Sequence, residues 1–572
     1  MNLGLTKSTA RSRQFPIFWV LICLLALGSI KLPVAAQQRE ATYDLVIRNG
    51  RVLDGAGNPW IAADIAIKDG RFTRIGKVEG WGKLEIDAKG KYVSPGWIDM
   101  MDQSGSVLLR NGLAENKLMM GVTSAIGGEG GTPVPAEKIS DYFAELEKAG
   151  ISINFGTYFS ETQARIAVLG EDSRAPTTEE LSRMKLVMET AMKSGAMGMT
   201  TALIYPPSSY ATTNELIEMA RVAGQYGGIY ASHIRGEGKE LIQSVEEAIA
   251  IGEQGGLPVE IFHLKAAYKP GWGTLMRTVG EKIDQARARG VDVAADMYLY
   301  TAGGTGLEAV VPSWAFDGGT NQLLERLKDP ITRKRLKNEI VSGSPGWWNI
   351  VEAAGGWDGI VLVNARNKDN SRFEGKSLSQ IAKEWQKDPA DAAFDLVTQG
   401  EGRVLALFHM MSEQDIITAL RFSWTSIGSD AAAALQPGGV DMLGLPHPRS
   451  YGNFPRLIAR YVREQRVLTL EEAIRKMTSW PATRMRLPSR GLIKEECWAD
   501  VVIFDYQKIQ DRATYEQPLA SPEGIDYVLV NGQVVMKNGK HTGARPGRVL
   551  YGPGRTFDGE PSTTASFGQG PR

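Results

Sequence analysis

Eight short β-rich runs follow one another between Trp97 and Asp430, and this repetition restricts the fold more than any other feature of the chain. The runs are Trp97-Ile-Asp-Met, Val122-Thr-Ser-Ala-Ile, Ile153-Asn-Phe-Gly-Thr, Met197-Gly-Met-Thr-Thr, Gly228-Ile-Tyr-Ala-Ser-His233, Pro258-Val-Glu-Ile-Phe-His263, Val293-Ala-Ala-Asp-Met-Tyr and Ser426-Ile-Gly-Ser-Asp430. Stretches with helical periodicity fall between them, among them Asp141 to Lys148, Thr178 to Lys193 and Leu241 to Ile251. Gly-marked apolar runs of this length read as parallel strands buried on both faces. Eight of them alternating with helices predict an α/β fold of (β/α)8 TIM-barrel type over residues 95–485. The stretch from about 304 to 421 is too long for a βα connection, and it reads as an insertion placed like a lid between the last two barrel strands.

The two ends of the chain share a different pattern. Residues 43–94 contain Leu45-Val-Ile-Arg, Asn49-Gly50, Arg51-Val-Leu, Ile65-Ala-Ile and Asp69-Gly70, and Asn531-Gly532 lies between Tyr527-Val-Leu-Val and Gln533-Val-Val. These are hairpin signatures. They predict one small β-sandwich domain built from both ends, residues 42–94 with 486–551. The Gly-, Pro-, Ser- and Thr-rich stretch 552–572 reads as a disordered tail.

Lys+Arg and Asp+Glu both number 65, so no net field draws the chain to nucleic acid. Lys7, Arg11 and Arg13 precede an apolar stretch from Phe18 to Ile30 and then Val34-Ala35-Ala36. This is the layout of a secretory signal peptide, residues 1–36, and implies a periplasmic or secreted bacterial protein with no stable membrane insertion after cleavage. The apolar stretch is short for a bilayer span, and an uncleaved anchor is the alternative. Cys23 leaves with the signal, so Cys497 remains without a disulfide partner and reads as a packed turn residue.

The chain has five histidines, and two of them, His233 and His263, end strand-like runs, which in a βα barrel is the active face. Neutral imidazoles are common zinc ligands, and two from neighbouring strands supply half of a tetrahedral shell. Buried histidines satisfied by backbone are the alternative for these residues taken alone.

In their order the motifs resemble the amidohydrolase superfamily and, within it, the N-acyl-D-amino-acid deacylase (D-aminoacylase) family. The resemblance runs from about Tyr43 to Leu550 and rests on Asn49-Gly50, Asp54-Gly55, Val93-Ser-Pro-Gly-Trp-Ile-Asp99, Gly121-Val-Thr-Ser, Ser232-His233-Ile-Arg, His263-Leu-Lys265, Asp296-Met-Tyr298-Leu-Tyr300, Gly428-Ser429-Asp430, His447-Pro-Arg449, Met477-Thr-Ser-Trp-Pro481-Ala and Ala499-Asp-Val-Val-Ile-Phe-Asp505. It implies a barrel whose metal is held by a residue ending strand two and by His233 and His263. It also implies that Asp430 moves the proton, with Lys265, Tyr298 and Arg449 holding a substrate carboxylate. Those three residue types suit that task as point charge, directional donor and bidentate fork. Read without the family, Gly428-Ser-Asp430 is equally an Asx turn; for Lys265, Arg449 and Tyr298, surface cations and a core aromatic are the alternative.

Two departures from the family pattern matter. Where His-x-His is expected after Asp99, the chain reads Met101-Asp102-Gln103, and neither thioether nor amide binds zinc as imidazole does. Asp102 points away if its neighbours face inward. A second metal is therefore expected to be absent or loose. In Gly127-Gly128-Glu129-Gly130, Glu129 stands where the family has a cysteine, and its carboxylate remains a competent ligand. A solvated loop carboxylate is the alternative for Glu129.

The expectation is a metal-dependent amidohydrolase with one Zn²⁺ on Glu129, His233 and His263, a shell that Mn²⁺ or Fe²⁺ would also suit. The expected substrate is a small molecule with an amide next to a free carboxylate, an N-acyl-D-amino acid or a D-residue dipeptide. A non-catalytic periplasmic binding protein on the same scaffold, and a hydrolase of a cyclic amide or lactone, are the alternatives. Oligomeric state is not legible in the sequence.

Overall fold

The computed structural model describes residues 42–434 and 444–555, so residues 1–36, read as a signal peptide, lie outside it. The eight runs form the barrel strands: Trp97–Asp102, Val122–Gly127, Asn154–Thr157 continued by Phe159–Ser160, Gly198–Ala202, Ile229–His233, Val259–Ile261, Val293–Met297 and Thr425–Ile427. Neighbours pair in parallel. Asp102 and Ala431 close the ring through a parallel bridge, flanked by Asp430 N–H donating to Met101 O at 2.9 Å and Gln103 N–H to Ala431 O at 3.1 Å. The helices between strands bury one stripe each. Ile139–Ala149 turns Ile139, Tyr142, Phe143 and Leu146 inward, a spacing of three and four residues that places them on one helical face.

A fully buried ion cluster braces the closure. Lys117 Nζ donates to Asp99 Oδ2 at 2.9 Å, Ser429 Oγ at 2.8 Å and Ala431 O at 2.5 Å, and pairs with Asp102 Oδ2 at 2.6 Å. Asp99 Oδ1 accepts the Ser429 N–H at 2.8 Å. Strand one, the helix Glu115–Met119 and the loop that carries Asp430 are thereby tied at one ammonium.

The chain ends build one sheet, ordered Lys540–His541, Gln533–Lys537, Ile525–Val530, Val501–Phe504, Tyr92–Pro95, Tyr43–Val52, Ile61–Lys68 and Arg71–Gly76, with Gly82–Asp87 also paired to Tyr43–Val52. Val501–Phe504 lies antiparallel to Tyr92–Pro95 at the seam between the ends. All four of its residues are buried, and they alternate. Val501 and Ile503 join Leu45, Ile47, Val93 and Leu529 in the sheet's own cluster, whereas Val502 and Phe504 join Trp97 in the barrel's. The small domain is thus seated on the barrel by the alternate face of its central strand.

Asp69-Gly70 and Asn531-Gly532 are two-residue hairpin turns with positive φ at both positions. Asn49-Gly50 is not a turn. It is a bulge inside the unbroken strand Tyr43–Val52, where the pairing register shifts between Ile47 and Gly50. A strand paired along its length to both Ile61–Lys68 and Gly82–Asp87 absorbs the left-handed Asn49 as an extra residue.

The insertion carries an antiparallel sheet of Gly303–Gly306, Leu405–Phe408 and Ile360–Asn364, and its own core, which includes Leu307, Phe373, Phe394 and Phe408. It ends before Arg421, because the helix Glu413–Leu420 packs Ile416, Ala419 and Leu420 into the barrel core. The start of the stretch expected to be a disordered tail is also ordered. Gly552 N–H donates to Gly195 O at 2.8 Å, and the Arg555 guanidinium lies over the Tyr551 ring, while 556–572 lie outside the described residues. Among the described residues no helix is long and apolar enough to cross a membrane.

Replacing Lys117 by Met leaves two carboxylates buried without a counter-ion, and removal of one partner of a buried pair costs about 3–5 kcal/mol. Urea unfolding of Lys117→Met is expected to show a loss of that size; a loss within error of zero would contradict the bracing role.

Candidate metal centre

His233 is the last residue of barrel strand five, and His263 follows strand six by two residues with φ of 35°. That left-handed turn is held by Asp296 on strand seven, whose Oδ1 accepts the His263 N–H at 2.9 Å. Asp430, after strand eight, is also left-handed, with φ of 48°. Non-glycine residues rarely adopt this conformation, and it persists where surrounding structure enforces it. Glu129 follows strand two and is aimed by Gly128, whose φ is 103° and where a Cβ would lie 2.8 Å from Tyr158 O. Thr200 Oγ1 anchors the same turn by donating to Gly128 O at 2.7 Å.

These elements bring three sequence-expected ligands to one point. Glu129 Oε1 lies 3.0 Å from His233 Nδ1 and 3.2 Å from His263 Nε2, and one ligand atom from each residue falls within 4.8 Å of the others. Glu237, which the sequence reading did not single out, stands behind both rings. Its Oε1 is 3.3 Å from His263 Nδ1 and 3.6 Å from His233 Nε2, and accepts from Lys265 Nζ at 2.5 Å. His233 Nε2 is buried without a hydrogen-bond partner. With Nδ1 engaged by an ion, the ring proton would sit on Nε2 and face Glu237, the carboxylate–histidine–metal arrangement that orients such ligands. Glu237 is four residues from His233 in His233-Ile-Arg-Gly-Glu237, and that spacing was its one sequence signal.

The electrostatics fit a cation. Burial opposes the charge of Glu129, but hydrogen bonds from His233 and His263 outweigh it and hold the carboxyl well below its ordinary range. Burial likewise opposes Glu237, and Lys265 with the two imidazoles holds it low. Burial pushes the His233 imidazole down. Burial and Lys265 also push His263 down, but Glu129 and Glu237 more than offset them and raise it to about 9. Three carboxylates, Glu129, Glu237 and Asp430, line one cavity with Lys265, Arg449 and the two imidazoles. One carboxylate beside two imidazoles, converging at Glu129, His233 and His263, is a donor set that suits a divalent ion.

The cavity, about 490 Å³, also holds the remaining expected site residues. Asp430 Oδ2 pairs with Arg449 Nη1 at 2.7 Å, and the Arg449 guanidinium stacks 4.6 Å above the Tyr298 ring. Lys265 reaches the cavity with its ammonium already held by Glu237 and 2.7 Å from His263 Nδ1. Buried Arg449 Nε has no partner among the described residues. His447 donates Nε2–H to Ala302 O at 2.9 Å and accepts the Arg449 N–H at Nδ1, so it shapes the loop beneath that arginine. Asp102 is taken up by Lys117, and Met101 packs with Ile126 and Phe262. Gln103 also faces the cavity. One wall is apolar and comes largely from the insertion: Trp348, Ile350, Val363, Leu405, Leu407 and Met410.

Comparison with known proteins agrees with this geometry. A family model described as amidohydrolase family matches residues 436–536. The D-aminoacylase of Alcaligenes xylosoxydans xylosoxydans is 31% identical over 537 residues, 90% of this chain and 99% of that protein. The N-acyl-D-glutamate deacylase of Bordetella bronchiseptica, solved with zinc and a phosphonate inhibitor that mimics the reaction's tetrahedral intermediate, superposes with a TM-score of 0.74 at 29% identity, covering 89% of this chain and 99% of that one. A solved D-aminoacylase with a binuclear metal centre, activated by one metal and attenuated by the second, has the same TM-score and identity and is covered to 100%, over 89% of this chain. The chain belongs to the D-aminoacylase family of the amidohydrolase superfamily. It is a metal-dependent amidohydrolase of N-acyl-D-amino-acid deacylase type, acting on carbon–nitrogen bonds other than peptide bonds.

Zinc bound per chain is expected to fall to background in Glu129→Ala and to be retained in Glu129→Cys. Glu237→Gln, which keeps the shape and removes the charge behind both rings, is expected to weaken zinc binding about 10–100-fold. Unchanged zinc content in Glu129→Ala would remove Glu129 from the ligand set.

Proposed function

We propose that the protein hydrolyses the amide bond of N-acyl-D-amino acids or D-residue dipeptides, using one zinc ion held by Glu129, His233 and His263. The observation that carries this reading is the convergence of those three side chains at one point, in a cavity that also contains Asp430, Tyr298 and Arg449. When bound, the ion supplies a Lewis acid that polarises the scissile carbonyl and acidifies a water. The chain's own groups do the rest. Asp430, oriented by Arg449, takes the proton of the attacking water and returns it to the leaving nitrogen. Tyr298 and the guanidinium of Arg449, both in the cavity lining, receive the substrate carboxylate. Lys265, kept by Glu237, supports that pole by its charge and fixes His263. The apolar wall of the insertion receives the side chain or acyl group.

With zinc supplied, an N-acyl-D-amino acid is expected to be turned over, its L enantiomer and a cyclic imide poorly or not at all. Chelation is expected to abolish the activity and added zinc to restore it. Turnover of the cyclic imide or of a lactone alone would overturn the reading.

The proposal includes export, supported by the basic residues before Phe18 and the Val34-Ala35-Ala36 site. N-terminal sequencing of protein made in a bacterial host is expected to begin at Gln37, and a mature protein beginning at Met1 would contradict it.

A further inference from the structure

Gln103 stands at the end of barrel strand one, at a position where the family pattern calls for a histidine, and its amide has two acceptors. Nε2 donates to Glu129 Oε2 at 2.7 Å and to Asp430 Oδ1 at 3.2 Å. An amide nitrogen carries two hydrogens, one for each carboxylate, and no lone pair suited to a metal. Two carboxylate oxygens brought to one point repel unless a proton, a cation or a pair of donors lies between them. The remaining oxygens are occupied as well. Glu129 Oε1 faces the two imidazoles and Asp430 Oδ2 faces Arg449. The spacing is fixed by backbone, since Gln103 N–H donates to Ala431 O and Asp430 N–H to Met101 O across the barrel seam.

We infer that the Gln103 side-chain amide replaces a second metal ion. It joins the ligand Glu129 to the proton-carrying Asp430, leaves Glu129 one oxygen for coordination, and restricts the centre to a single ion. This inference rests on the three-ligand centre proposed above, and its test separates the two.

Wild-type protein, Gln103→Glu and Gln103→Met are equilibrated with a large molar excess of Zn²⁺, freed of unbound metal by gel filtration, and their zinc is counted per chain by elemental analysis. Gln103→Glu is isosteric but exchanges two donors for a third carboxylate at the same point, a set of oxygens that attracts a divalent cation. The expected values are one ion in the wild type, one in Gln103→Met and two in Gln103→Glu. Cobalt supplies an independent readout, since two ions sharing Glu129 would couple magnetically in Gln103→Glu and not in the wild type. Two ions in the wild type would overturn the inference and leave the three-ligand centre standing. One ion in both wild type and Gln103→Glu would also overturn it. No ion in the wild type would remove both. Should Gln103→Glu fail to fold, Gln103→His takes its place, with the same expected gain from one ion to two.

Discussion

A single carboxylate oxygen shared between two buried imidazoles sets the terms for the rest of this molecule. Glu129 Oε1 must lie within hydrogen-bond distance of rings that come from strands five and six, so three segments far apart in the chain have to meet to within a few tenths of an ångström. The barrel supplies that meeting by placing the ends of successive parallel strands side by side. The fine aim comes from Gly128, from the left-handed turn at His263 held by Asp296, and from Glu237 behind both rings. Burying this much negative charge is costly unless it is compensated. The compensation at hand is Lys265, Arg449 and the imidazoles.

Architecture and site are joined at the barrel seam. The buried ammonium of Lys117 fastens strand one to the loop after strand eight, and the residues on either side of that seam are Gln103 and Asp430. The same hydrogen bonds that close the barrel therefore set the distance between the Gln103 side chain and Asp430.

Much of this was legible in the sequence. All eight barrel strands were marked by short apolar runs, because parallel strands covered on both faces need such runs. His233 and His263 stood out because histidines are scarce and both close apolar runs, whereas Glu129 was legible only through the family resemblance. Asn49-Gly50 misled because a dipeptide's turn preference is local, whereas the choice between turn and bulge depends on strands that pair on either side. Lys117 and Glu237 were not found for the opposite reason. Lys117 has nothing unusual nearby in sequence and Glu237 only its spacing from His233; the importance of each arises from burial against groups on other barrel segments, Asp99, Asp102, Ser429 and Ala431 for Lys117 and Lys265 for Glu237. Lys265 was legible as a site residue but not as the partner of Glu237, since pairing inside a cavity depends on which carboxylate arrives there. The insertion's end was overestimated because the helix Glu413–Leu420 is as amphipathic as those before it, and only its packing assigns it to the barrel.

The most direct measurement is anomalous X-ray diffraction at the zinc absorption edge from crystals grown with zinc. The account predicts one strong peak per chain, about 2.0–2.2 Å from a Glu129 oxygen, His233 Nδ1 and His263 Nε2. A peak that leaves Glu129 out of coordination, or its absence from these three residues, would contradict it.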